Sequence, residues 1–189
     1  LGTNAWTGVT TINDGILDSF NNLSGTVYVN AGGTFTGVGA SGSFVVAQGG
    51  SVIYTGNQTG TTTVTGGGTV DVGTGSEISG LVGVFDGTLN ANSGSTISGT
   101  VNVNGGAFNI NGGSTITGTL GLNSGLVNVN NGGTFGGPTV VNGGTFFVNT
   151  GGSVSAVTGI DVNSGGTFNV NGGSGTGDGT ITVGGALVA

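Results

Sequence analysis

One asparagine comes round at a fixed interval in the second half of this chain. Asn104, Asn123 and Asn142 recur with a spacing of 19 (123 − 104 and 142 − 123). Each follows an alternating apolar run and precedes a glycine-containing turn. The segments read Val101-Asn102-Val103-Asn104-Gly105-Gly106, Leu120-Gly121-Leu122-Asn123-Ser124-Gly125 and Val140-Val141-Asn142-Gly143-Gly144. A fourth copy, Ile160-Asp161-Val162-Asn163-Ser164-Gly165, follows with a spacing of 21 (163 − 142). A constant period of roughly 20 marks a solenoid. Each repeat is then one coil, which buries its apolar face only against the coils stacked on it.

With 48 Gly and one Pro in 189 residues, the chain would read as disordered if it had no period. Its apolar residues recur in register, however, and mean hydropathy is +0.31. Collagen is excluded, because Gly is not every third residue and Pro is nearly absent. No shift in composition divides the chain, so residues 1–189 are expected to form one continuous solenoid.

Lys, Arg and His are absent, and the formal charge is −7. Nothing can neutralise phosphates, which excludes nucleic acid as a partner. Attachment to an anionic membrane fails for the same reason. Without Cys there is no disulfide framework and no thiolate metal site. No apolar run reaches the length of a membrane-spanning helix, so direct membrane insertion is not expected. The chain opens at Leu1 without a signal peptide and reads as a processed chain or a piece of a longer one.

Helix signals are poor, since Gly, Asn, Thr and Val are weak helix formers. Strand signals recur as short runs ending in Gly-Gly, Asn-Gly or Ser-Gly. The last part resolves into coils with a period of 19 to 21, each with three short strands. Val101, Leu120, Thr139 and Ile160 share one inward position, and Val103, Leu122, Val141 and Val162 the next. In the second strand, Phe108, Val127, Phe146 and Phe168 form a core ladder, followed by Ile110, Val129, Val148 and Val170. In the third, Ile116, Phe135 and Val154 align. Alternation with Asn, Thr, Gly and Ser turns one set inward. In the first half, Gly37 to Gly56 and Gly80 to Gly99 are each read as one coil, again at a spacing of 19 (56 − 37 and 99 − 80). The interval from Gly56 to Gly80 is wider, at 24 (80 − 56), and is read as a longer coil or a small outward loop. About nine or ten coils then make a rod of roughly 45 Å.

The column Asn104, Asn123, Asn142 and Asn163 reads as a structural turn ladder. Asn tolerates the left-handed region that a sharp turn requires, Gly does so without cost, and stacked amides can hydrogen-bond along the column. Contact with sugars or ions is the functional alternative.

The opening segment, Asn4-Ala5-Trp6-Thr7-Gly8-Val9-Thr10-Thr11-Ile12-Asn13-Asp14-Gly15-Ile16-Leu17, resembles the autotransporter-associated β-strand repeat. Ala5 and Ile16 replace the usual Thr, and Trp6 the usual Tyr. The stretch from Gly175 to Gly185 resembles the glycine-rich end of that repeat, and the middle resembles the degenerate coils of large adhesin passengers. The resemblance implies an all-β fold, a single-stranded right-handed parallel β-helix on the bacterial surface. It also implies a membrane β-barrel elsewhere, of which these residues carry no segment.

Catalysis is not expected. Glycoside hydrolysis needs two carboxylates at a defined separation. The seven acids are Asp14, Asp18, Asp71, Glu77, Asp86, Asp161 and Asp178, and they do not recur in register. Nucleophilic triads need a His. No cofactor is expected. Gly172 to Asp178 resembles a calcium-binding nonapeptide, but it does not repeat, as an oxygen cage would require. Thr96, Ser98 and Thr100 precede Thr115, Thr117 and Thr119 at the same spacing of 19 (115 − 96), a small ice-binding-like array that Gly136 and Pro138 break. Trp6, Tyr28 and Tyr54 are a candidate sugar-stacking surface for host or surface glycans, although single aromatics on a solenoid more often pack the core or cover an end.

The expected function is a stalk or spacer in an extracellular adhesin or autotransporter passenger. The alternative is a subunit that stacks end to end into an extracellular filament. In both, the principal partners are neighbouring β-helix coils, from the same chain or from identical subunits.

Overall fold

Thr, Val and Ile in short runs favour extended backbone, and the glycines between them allow sharp corners. Each extended run therefore pairs with the run one coil later. The computed structural model describes residues 6–19, 23–38, 42–155, 159–176 and 181–189. Among these residues the strands pair in parallel, and there is no helix. An isolated antiparallel bridge joins Asn149 to Gly172. The molecule is a β-solenoid with three ladders of strands, two joined into one 18-stranded sheet and the third a 7-stranded sheet.

The first ladder steps from Thr10 through Val27, Phe44, Thr62, Val82, Val101, Leu120, Thr139 and Ile160 to Ile181. The second steps from Leu17 through Phe35, Val52, Val70, Leu89, Phe108, Val127 and Phe146 to Phe168 and Leu187. The third runs Gln58, Ile78, Ile97, Ile116, Phe135, Val154. The inward side chains form one continuous core from Ile12 to Phe168. Burying each Val, Leu, Ile or Phe contributes about 1.5–3 kcal/mol. Phe146 sits between Phe135 and Phe168, with ring centroids 5.5 and 5.2 Å away.

Glycine serves two corners for two different reasons. Between the second and third ladders, Gly75, Gly94, Gly113, Gly132 and Gly151 hold φ between 70° and 77°, a region that side chains avoid. At the corner that leads into each strand of the first ladder, the requirement is space. Gly25, Gly42, Gly60, Gly80, Gly99, Gly118 and Gly137 each lie so close to the preceding coil that a Cβ would overlap its backbone carbonyl oxygen.

The coil length is less uniform than the expected 19 to 21. Successive steps along the first ladder are 17, 17, 18, 20, 19, 19, 19, 21 and 21 (27 − 10, 44 − 27 and so on). Gly37 pairs with Tyr54, so Gly37 and Gly56 do not mark one coil. Gly80 stacks on Gly60, so the supposed long coil is an ordinary one with a step of 20 (80 − 60). Among the described residues, the third ladder begins at Asn57–Gln58. Two strands are longer than expected. Val101–Ile110 and Leu120–Val129 each continue through the corner between the first two ladders. They carry a register irregularity beside Asn104, and glycine takes the positive φ at Gly106 and Gly125.

Candidate functional site: the asparagine ladders

In-register strands about 4.8 Å apart bring identical side chains within hydrogen-bond reach of each other. The corner column uses this spacing. Asn123 donates Nδ2 to Oδ1 of Asn104 at 2.8 Å, Asn142 donates to Asn123 at 2.8 Å, and Asn163 donates to Asn142 at 2.7 Å. The ladder is exposed. Its asparagines do not hold the left-handed backbone anticipated for a turn. Among the described residues, the non-glycines with positive φ are Gln48 and Ser93. The neighbouring glycines, Gly105, Gly106, Gly125, Gly144 and Gly165, take those angles instead, which frees the asparagines from doing so.

Two further ladders, not singled out from the sequence, run side by side along the outer face of the second strand ladder and at its edge. In one, Asn128 donates to Asn109 at 2.9 Å and Asn109 to Asn90 at 2.8 Å. In the other, Asn149 donates to Asn130, Asn130 to Asn111 and Asn111 to Asn92, each at 2.9 Å. Both end on one carboxylate. Asn90 and Asn92 donate to the same Oδ1 of Asp71, at 2.9 and 3.3 Å. The sequence signal was there to find: Asn at a spacing of 19 in two more columns.

All of these ladders point the same way, each amide N–H aimed at the preceding coil. Their dipoles add, with the positive end toward the N-terminal coils. Asp71 sits at that positive end of two ladders. An ionised carboxylate is acceptor-only, so it terminates a row of donors without leaving a proton unpaired. Other acids follow the same rule in a chain that has no cationic side chain. Thr36 donates to Asp18 at 2.9 Å and Ser98 to Glu77 at 2.7 Å, each from the following coil.

The remaining candidates separate. Phe108, Val127, Phe146 and Phe168 are buried in the second ladder's core column. Trp6, Tyr28 and Tyr54 make no common surface. Tyr54 points inward and packs its ring 6.1 Å from Phe44, while Tyr28 and Trp6 face solvent. Asp71 and Glu77 lie on different ladders, the second and the third, and each takes hydrogen-bond donors from the following coil. Thr96, Thr115 and Thr134 stack in register on the third ladder. Asp178 of the calcium-like segment, like Asn4 and Ala5 of the opening motif, lies outside the described residues. Among the described residues, no three of His, Cys, Asp and Glu gather into a metal-binding group, and no helix is long and apolar enough to cross a membrane.

Fold and surface together define a parallel β-solenoid whose outer faces carry hydrogen-bonded amide ladders. No protein-family model matches the chain, and no curated protein matches it. Among solved structures, a crystal structure of a TibC-catalysed hyper-glycosylated TibA fragment aligns with it at 20% identity and a TM-score of 0.35. That alignment covers 97% of this chain and 94% of the other.

Proposed function

We propose that this chain is a structural spacer, a stalk segment of a bacterial surface adhesin or autotransporter passenger, and not an enzyme. The observation that carries the reading is the unbroken stacking of inward columns from Ile12 to Phe168. Every coil rests on the one before, so the chain converts sequence length into distance. From Thr10 to Ile181 the first ladder rises about 43 Å at roughly 4.8 Å per rung. Three of the carboxylates, Asp71, Asp18 and Glu77, take hydrogen bonds from Asn, Thr and Ser of the next coil. The absence of basic residues argues against nucleic acid and anionic membrane as partners. Surface glycans are the class of ligand that the exposed amides and hydroxyls suit.

A second reading, an extracellular filament built by end-to-end stacking, rests on the same in-register columns, which identical subunits would continue as further coils of one polypeptide do.

The denatured mass of the native polypeptide, with immunogold labelling of the producing cells, separates the two. The stalk reading expects a chain many times heavier than 17.7 kDa and label at the cell surface. Subunits near 17.7 kDa in uniform fibres would overturn it in favour of the filament.

A further inference from the structure

Five asparagines in this chain are followed by glycine: Asn104, Asn111, Asn131, Asn142 and Asn171. Asn-Gly is the pair most open to spontaneous deamidation, because glycine leaves its own backbone nitrogen unhindered. That nitrogen attacks the asparagine Cγ. The new C–N bond closes a succinimide, and the Cγ–Nδ2 bond breaks, Nδ2 leaving as ammonia with the proton that the glycine nitrogen gives up. Water then opens the ring to aspartate or isoaspartate. Ring closure requires the side-chain amide to rotate freely and approach the next residue's nitrogen.

The ladders hold some of these amides and leave others loose. Asn111 is held at both ends: it donates to Asn92, and Asn130 donates to its Oδ1, both at 2.9 Å. Asn142 is held between Asn123 and Asn163 at 2.8 and 2.7 Å, and the Gly143 N–H is itself bonded to the Leu122 carbonyl at 3.2 Å. Asn104 is held at one end, by Asn123. Asn131 and Asn171 are exposed, and their side-chain amides make no hydrogen bond among the described residues. Asn131 keeps only a backbone restraint, with the Gly132 N–H donating to the Gly151 carbonyl at 2.8 Å. Asn171 is in register with Asn149, but the spacing there is 22 (171 − 149) and the ladder does not extend to it.

We propose that Asn131 and Asn171 are the deamidation sites of the folded protein, and that the amide ladders chemically protect Asn111 and Asn142. Asn104 is intermediate. Each conversion at Asn131 or Asn171 adds one negative charge outside the ladders and leaves every ladder hydrogen bond in place. A conversion inside a ladder would replace a donor with an acceptor facing another acceptor.

The test is site-resolved mass spectrometry of the intact folded chain after incubation at mildly alkaline pH. Chymotrypsin serves for digestion, since there is no Lys or Arg to cleave. Aspartate and isoaspartate should appear first at positions 131 and 171. Asn111 and Asn142 should react at least about tenfold more slowly, the effect of two modest hydrogen bonds that must break before ring closure. In denaturant all five should react at similar rates. Asn130→Ala frees Oδ1 of Asn111 and should speed conversion there but not at Asn142. Native conversion of Asn111 or Asn142 as fast as Asn131 would overturn the proposal. So would intact Asn131 and Asn171 in a folded sample whose ladder asparagines react. If the variant does not fold, the order of rates in the unmodified chain decides alone.

Discussion

Asn90 donates its Nδ2 to Oδ1 of Asp71 across one coil step at 2.9 Å, which ties an amide ladder to a carboxylate. Asn92 reaches the same oxygen at 3.3 Å, so one carboxylate closes two rows of amides. Hydrogen bonds to a charged group contribute about 1.5–3 kcal/mol, less where water can replace them, and this group is partly buried. Asp71→Ala should therefore cost about 2 kcal/mol in urea denaturation. Asp71→Asn keeps an acceptor but loses the charge and should cost about half as much. Equal stability for all three chains would show that the ladders need no anionic end.

The tight corner predicts a sharp contrast between Gly118 and Gly136. A Cβ on Gly118 would overlap the carbonyl oxygen of Gly99, a backbone atom that cannot swing aside. Gly118→Ala should cost about 3 kcal/mol or more, as overpacking against backbone does. Gly136 has ordinary φ, and its nearest neighbour to an added Cβ is the Ile116 carbonyl oxygen at 3.8 Å. Gly136→Ala should change stability by less than about 1 kcal/mol, through the unfolded chain. Chemical denaturation of both variants checks the contrast.

How much of this could be read from residues alone depends on where in the chain one looks. From Val82 to Thr139 the step is 19 three times running, so Val101, Leu120 and Thr139 fall into register on spacing alone. The first half defeats that approach, because its steps are 17, 17, 18 and 20. The true marker there is the space-limited column Gly25, Gly42, Gly60 and Gly80, hidden among 48 glycines of which many serve turns. Gly37 and Gly56 offered a false 19 because spacing does not say which glycine is crowded. The ladders through Asn90 and Asn92 were present as spacing, but their direction and their shared end on Asp71 depend on amide orientation, which spacing does not carry. Tyr54 read as either a sugar-stacking or a core aromatic, and its place in register with Val72 in the second ladder puts it in the core.

Thr62 occupies a core position between Phe44 and Val82. It is 1% exposed, and its hydroxyl has no hydrogen-bond partner among the described residues. An unsatisfied buried hydroxyl costs about 1–3 kcal/mol, and valine has nearly the same shape. Thr62→Val should raise stability by about 1 kcal/mol, seen as a higher denaturation midpoint with an unchanged slope. Thr139 sits in the same column, but its hydroxyl donates to the Gly137 carbonyl at 3.4 Å. Thr139→Val should gain less. A loss of stability at Thr62→Val would mean the hydroxyl is satisfied by water inside the core.

The alkaline limit of the fold should be set largely by Tyr54. With no Lys, Cys or His, the two tyrosines are the only side chains that titrate above neutral pH. Tyr54 is 2% exposed, and burial pushes its phenol well above the ordinary value, because the phenolate would lose its hydration in the core. In the unfolded chain the same phenol ionises near pH 10. The folded form therefore holds its proton where the unfolded form releases it. The stabilisation is fully present below about pH 10 and is lost as pH rises above that value, at about 1.4 kcal/mol per pH unit for one proton. Tyr54→Phe has no proton to release, so its stability should stay flat where that of the unmodified chain falls. Stopped-flow denaturation between about pH 9 and about pH 12 measures both slopes. Parallel slopes would show that Tyr54 ionises in the folded core as readily as in the open chain.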